Sequence, residues 1–169
     1  MRIIIANVDH LPSIQKLGQE TYQQHFSNLW TTVGITNFLN QDFSLDALNV
    51  SFSDKNQVWF LLFNDDDIPQ GFAKINLNKY QQNLKDIGTE LQKIYFLKTA
   101  TNNNFGHHLL QFILNYLSEK NCQFIYLEVL SHNIKAQKFY KKYNFKESLE
   151  IPYATDLYHI GMKIMTLTL

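Results

Sequence analysis

Asn133 to Phe145 reads N-x-x-A-x-x-F-Y-x-x-x-N-F, and the run Phe124-Ile125-Tyr126-Leu127-Glu128-Val129-Leu130 leads straight into it. The run is apolar apart from Glu128 and predicts a strand. Asn133 suits a helix N-cap, because its side-chain oxygen can accept from an orphan backbone N–H. Ala136, Phe139, Tyr140 and Tyr143 then fall at i, i+3, i+4 and i+7, one face of a helix, while Lys135, Lys138, Lys141 and Lys142 take the solvated side. The spacing alone establishes only an amphipathic helix behind a strand. A second such unit lies upstream. Ile94 to Lys98 predicts a strand, Thr101-Asn102-Asn103-Asn104-Phe105-Gly106 a polar loop, and His107-His108-Leu109-Leu110 the opening of another helix.

Together these segments resemble the two signature motifs of the GNAT acetyltransferases, which carry acetyl from coenzyme A to an amine. The family's first motif is a strand, then Q/R-x-x-G-x-G/A, then a helix. Thr101 stands where that pattern has Gln or Arg, and Asn104 stands at its first glycine. In the second motif Asn144 replaces the glycine before Phe145. Asn is the non-glycine residue that best tolerates the left-handed region, so both glycine losses can be accommodated. Loss of the Gln or Arg removes a phosphate contact. The resemblance extends more loosely over the whole chain. It implies one α/β (α+β) domain over residues 1–169, with a mixed, mostly antiparallel sheet of about seven strands flanked by helices. That sheet is expected to splay between its fourth and fifth strands.

Composition narrows the function classes. The chain has 15 basic and 15 acidic residues and a formal net charge of zero. Arg2 is its one arginine, so the fork-shaped donor favoured for phosphate and base recognition is nearly absent. No nucleic-acid partner is expected, since such proteins cluster a basic excess on one face. Cys122, the single cysteine, excludes an intramolecular disulfide and suits a reducing compartment. It reads as a small hydrophobe rather than a nucleophile. The apolar run at Ile3 to Ile5 is too short for a signal peptide, and no stretch approaches the ~20 apolar residues of a membrane helix. A cytoplasmic protein without a membrane partner is expected.

Along the chain, Ile3 to Ala6 predicts a first strand. Asp9 is expected to cap a helix carrying Leu11, Ile14, Leu17 and Tyr22, with Pro12 in its first turn. Trp30 to Asp54 predicts two short helices broken near Asp42-Phe43-Ser44. Val58 to Phe63 and Gly71 to Leu77 predict a hairpin around Asn64 to Asp67, whose three aspartates read as a solvated turn. Lys79 to Thr89 is polar and is expected to be a loop. Glu90 to Lys98 is the next strand, Phe105 to Lys120 a helix and Cys122 to Leu130 another strand. Strands at Phe145 to Ile151 and Leu157 to Leu167 close the chain. No repeat or linker divides it. The histidines and acidic residues show no ligand spacing, so no metal is expected.

The site residues follow from the loop chemistry and the resemblance. A helix N-terminus holds phosphate through unpaired N–H groups and partial positive charge. Thr101, Asn104, Phe105, Gly106, His107 and His108 would seat the pyrophosphate of acetyl-CoA, with Lys98 as an added cation. The resemblance implies that the pantetheine arm pairs along Phe96, Leu97 and Lys98. It implies further that a backbone N–H near Phe96 stabilises the reacting oxygen, and that Asn133 and Phe139 face the cofactor. Tyr140 falls where the family places its general acid. A phenol, with reference pKa near ~10, can supply a proton to a thiolate of reference pKa near ~8.5. Glu90, opening E-L-Q-K-I-Y-F, is the candidate base; Glu128 and water are its rivals.

These readings point to an N-acetyltransferase acting on a small-molecule amine by direct attack. Ile94-Tyr95, Gly106-x-His108-Leu109-Leu110 and the Trp30–Asp54 insert most resemble the polyamine-acetylating branch. Glu20, Asp42 and Asp46 would line a site for such a polycation. The resemblance leaves room for a homodimer. The altered loop also supports a different class, a non-catalytic module that binds a CoA ester or a partner protein.

Overall fold

Trp59-Phe60-Leu61-Leu62 is apolar at every position because helices cover both sides of the strand it forms. The computed structural model describes residues 1–100 and 104–169, so Thr101 of the expected phosphate loop lies outside the described residues. Strands β1 (Arg2–Ile5), β2 (Gln57–Phe63), β3 (Pro69–Gln81), β4 (Asp86–Phe96), β5 (Phe124–Leu130), β6 (Lys146–Ala154) and β7 (His159–Thr168) form one sheet. Their order is β1-β2-β3-β4-β5-β7-β6, with every neighbouring pair antiparallel except β4 and β5. Helices α1 (Leu11–Phe26), α2 (Thr32–Phe43) and α3 (Leu45–Ser53) cover one face. Helices α4 (Phe105–Glu119) and α5 (Ile134–Lys141) cover the other. Strand alternation sorts β2 accordingly. Trp59, Leu61 and Phe63 pack under α1–α3, and Phe60 and Leu62 pack under α4 and α5.

The helices begin and end where local chemistry dictates. Asn133 accepts from the Ala136 N–H at 3.1 Å, the cap its position predicts. Ser44 ends α2 and also caps α3, accepting from the Ala47 N–H at 3.2 Å, so one extended residue makes the expected break. Gly18 of α1 lies against the Phe43 ring, where an added Cβ would come within 2.1 Å of a ring carbon. Only glycine allows α1 and α2 to approach this closely. Asp9 is not the cap of α1. Asn7 caps a short turn of 3-10 helix before it, accepting from the Asp9 N–H at 3.2 Å.

The polar stretch from Lys79 to Thr89 is also not a loop. β3 and β4 continue through it as a two-stranded ribbon, pairing Tyr80 with Ile87 and Gln81 with Asp86. The ribbon runs out beyond the helical layers, and Tyr80 and Ile87 are exposed. With positions such as Lys79, Tyr80, Asp86 and Ile87 facing water, polar content no longer distinguishes strand from loop.

The sheet opens at its one parallel junction. β4 and β5 pair only at Thr89–Ile125 and Glu90–Tyr126, and beyond Glu90 they separate, as the resemblance implies. No helix among the described residues is long and apolar enough to cross a membrane.

Candidate active site

The splay leaves the far half of β4 with one unpaired edge. Leu97 donates its N–H to the Gln70 carbonyl at 3.0 Å, so Phe96 and Gly71 form a non-hydrogen-bonded antiparallel pair. In such a pair both residues turn their N–H and C=O away from the partner strand. Phe96 and, by the same parity, Ile94 therefore aim their backbone groups into the gap beside β5. His25 of α1 reaches the same edge, its Nε2 donating to the Phe96 carbonyl at 2.8 Å. The carbonyl can only accept, which places the ring proton on Nε2. Lys98 differs from the expectation: its backbone N–H is already bonded to Gln24 Oε1 at 2.8 Å. The Leu97 N–H likewise faces β3.

Opposite this edge stand the ends of α4 and α5. Asn104 adopts the left-handed conformation, φ 56°, and its carbonyl accepts from the His108 N–H at 3.1 Å. The N–H groups of Phe105, Gly106 and His107 precede the first full helical bond and have no intrahelical acceptor. Asn144 is also left-handed, φ 66°, so both asparagines occupy the backbone region that their substitution for glycine requires. His107 and His108 are exposed, and His107 Nδ1 is bonded to the Tyr143 hydroxyl. Phe105 packs at the edge of the core.

Tyr140 is buried on α5, its ring 5.2 Å from Phe139 and 5.6 Å from Phe145. Among the described residues its hydroxyl has no hydrogen-bond partner, and burial holds its pKa well above the ordinary phenol value. Gly106, Asn133, Phe139, Tyr140 and Phe96 all line one cleft of about 480 Å³ at the splay.

The other end of this cleft is walled by Tyr22, Phe26, Trp30, Tyr95 and Tyr153, and Glu128 is its one carboxylate. Glu128 accepts from Gln81 Nε2 at 2.7 Å. Although the residue is exposed, its pKa is raised, first by partial desolvation of the carboxylate and then by the negative charge of Glu90. Glu90 does not line the cleft. It is half-buried behind it, accepting from Asn76 Nδ2 at 2.6 Å. The acidic lining expected from Glu20, Asp42 and Asp46 is absent. Glu20 is exposed and bonded to Gln24, Asp46 is exposed on α3, and Asp42 is tied to Lys93 in a largely buried ion pair. Asp156, exposed in the β6–β7 turn next to the lining residue Thr155, ties that turn to the segment after α1. It accepts from the Thr31 hydroxyl and, at 3.0 Å, from the Thr31 N–H, bonds that lower its pKa.

Sequence reasoning missed His25, Trp30, Tyr95 and Tyr153. His25 and Tyr22 sit three apart on α1, a spacing that places them on one face. Nothing in the sequence pairs that face with the β6–β7 hairpin. Among the described residues no group of three His, Cys, Asp or Glu side chains is placed to hold a metal.

A sequence model of the Acetyltransferase (GNAT) family matches residues 15–145. The chain belongs to this family. An uncharacterized N-acetyltransferase of Lactobacillus delbrueckii subsp. lactis is 23% identical over 141 residues, covering 83% of this chain and 81% of that protein. The PaiA N-acetyltransferase of Thermoplasma acidophilum, solved with coenzyme A, superposes with a TM-score of 0.79 at 18% identity, covering 100% of both chains. A ribosomal-protein-alanine N-acetyltransferase from Brucella melitensis gives 0.74 at 14% identity, again covering 100% of both. At these identities the solved structures establish the GNAT fold alone.

Proposed function

We propose that this GNAT protein transfers acetyl from acetyl-CoA to the primary amine of a small molecule. One observation carries the proposal. The unpaired Phe96 N–H, the unpartnered Tyr140 hydroxyl and the Glu128 carboxylate all border the same cleft.

The residues fit acetyl-CoA. The free edge of β4 offers an extended chain the bonds of an added strand. The start of α4 offers N–H groups and dipole to phosphate. At Gly106 an added Cβ would meet Phe139 at 3.5 Å and Phe96 at 3.8 Å, ordinary contacts, so the protein's own packing does not demand a glycine. The missing side chain instead keeps the cleft floor clear.

Bound acetyl-CoA supplies an activated thioester. The Phe96 N–H is placed to donate to the acyl oxygen as negative charge gathers there, the role of an oxyanion donor. Tyr140 donates to the departing sulfur. The water exclusion that raises the phenol's pKa raises that of a thiol at the same place, so the donor and its target shift together. Glu128 takes a proton from the incoming ammonium, because only a neutral amine attacks. Its raised pKa brings it nearer working pH, which improves a base. Glu90 acts from behind, its charge sustaining that basicity. A non-catalytic role leaves the unpartnered Tyr140 hydroxyl at the cleft without a purpose.

Binding is tested by heat. At ~100 times its dissociation constant, acetyl-CoA adds ~2.7 kcal/mol and raises Tm by roughly 5–10 °C. Gly106→Trp, which fills the cleft floor, should fold and lose the shift. No shift for the wild-type protein at millimolar acetyl-CoA would sink the proposal.

The base is tested by pH. Activity requires ionised Glu128, so kcat/KM falls as pH drops through its raised pKa, above the usual carboxylate range. Glu128→Gln should cost ~100-fold or more and abolish that limb. Glu90→Gln removes a negative neighbour, lowers the Glu128 pKa and moves the limb to lower pH. A Glu128→Gln profile that retains the wild-type limb would take Glu128 out of the mechanism.

A further inference from the structure

Resting on the reading above, we propose that the acceptor is a monocationic primary amine carried on an apolar, aromatic-sized body, and that the ring-walled end of the cleft selects it against polyamines. Tyr22, Phe26, Trp30, Tyr95 and Tyr153 supply this wall from α1, the segment after it, β4 and β6. The rings hold one another in place. Tyr22 stacks on Phe38 at 4.0 Å and 15°, Trp30 lies 5.9 Å from Phe38, and Phe26 meets the Tyr95 ring edge-on at 5.6 Å. A wall supported in this way presents fixed rings instead of collapsing into the space it encloses.

Charge decides between the two kinds of amine. A polyamine must lodge one ammonium at the reacting end and bring at least one more into the ring-walled end. Glu128 is the one carboxylate lining the cleft, and Lys135, also on its lining, is a cation. The acidic side chains around the wall do not line it and are bonded elsewhere: Glu20 to Gln24, Glu150 to Ser131, Asp156 to Thr31, and Asp42, whose charge reaches the wall tyrosines, to Lys93. A second ammonium would therefore be stripped of water without a counter-ion, a costly state. An amine with one charge puts it at Glu128 and lays its remaining body on the rings, where burial of apolar surface favours it.

The experiment compares kcat/KM for phenethylamine, n-propylamine and spermidine by thiol release. Phenethylamine is expected to exceed spermidine by ~10-fold or more, and to exceed n-propylamine by a similar factor, the usual scale for filling an apolar pocket. Trp30→Ala should lower the phenethylamine-to-propylamine ratio, a comparison within one protein that impaired folding does not shift. Tyr153→Asp places a carboxylate on the wall and should raise the spermidine-to-phenethylamine ratio. Turnover with spermidine equal to or above phenethylamine overturns this inference and leaves the acetyltransferase reading intact. Acetyl-CoA binding without turnover of any of the amines defeats both.

Discussion

Tyr140→Phe is expected to cut acetyl transfer by ~100- to 10,000-fold while Tm and acetyl-CoA affinity stay near wild type. The ring remains, so its packing on Phe139 and Phe145 survives. The hydroxyl has no partner among the described residues, so deleting it orphans no buried donor or acceptor. A hydroxyl with a purely structural task would show the reverse, stability lost and rate kept. Because burial holds the phenol protonated far into the alkaline range, Tyr140 contributes no titration to the pH–rate profile. Stopped-flow thiol release beside a melting curve separates the outcomes. A variant that turns over at the wild-type rate makes Tyr140 a core residue and leaves water as the proton donor.

Asp42→Ala is expected to cost about 3–5 kcal/mol, a fall in Tm of roughly 6–20 °C. Lys93 and Lys74 sit side by side across β4 and β3, at 7% and 8% exposure, under α2 and α3. Asp42 pairs with Lys93, and its charge also supports Lys74, whose Nζ lies 5.3 Å over the Trp59 ring. Burial, and then the charge of Lys93, already lower the Lys74 pKa to about 8. Removing Asp42 leaves two buried ammonium groups facing each other. The sign of the pH effect follows. A lysine with a depressed folded pKa penalises the fold most where it must stay charged. The deficit in Asp42→Ala should therefore shrink as pH rises past the point where Lys74 loses its proton. Adding Lys93→Met to Asp42→Leu should recover most of the loss, because a well-packed apolar pair replaces the ions. Chemical denaturation that finds Asp42→Ala within 1 kcal/mol of wild type would show that water already reaches this pair.

The two strand-to-helix units were legible because each fixes its own geometry locally. Asn133 caps, Asn104 and Asn144 turn left-handed, and the residues between them follow a helical period. These settings also placed Phe96, Gly106, Asn133, Phe139 and Tyr140 around one opening. What stayed hidden depends on contacts between distant segments. That Gln24 and His25 cover the edge of β4 follows from the angle at which α1 crosses the sheet. That Asp42 answers Lys93 and not a polycation depends on where α2 ends. Glu90 and Glu128 have similar surroundings in sequence, an acid within an apolar run. Only the point where β4 leaves β5 decides that Glu128 borders the opening and Glu90 lies behind it.

The tie between Asp156 and Thr31 joins residues 125 apart in the chain. Contacts of such separation form late, since the loop between them must first be ordered by the sheet. During synthesis, when N-terminal segments emerge first, α1 and α2 can present their rings well before the turn that carries Asp156 exists. The ring-walled end of the cleft is thus the last part of the molecule to be finished. On the proposed reading, a partly folded chain that has already assembled the β4 edge and α4 could hold the nucleotide end of acetyl-CoA before the ring-walled end is complete. On the proposed reading, acceptor selectivity is a property of the completed topology, acquired when the Asp156 turn meets Thr31.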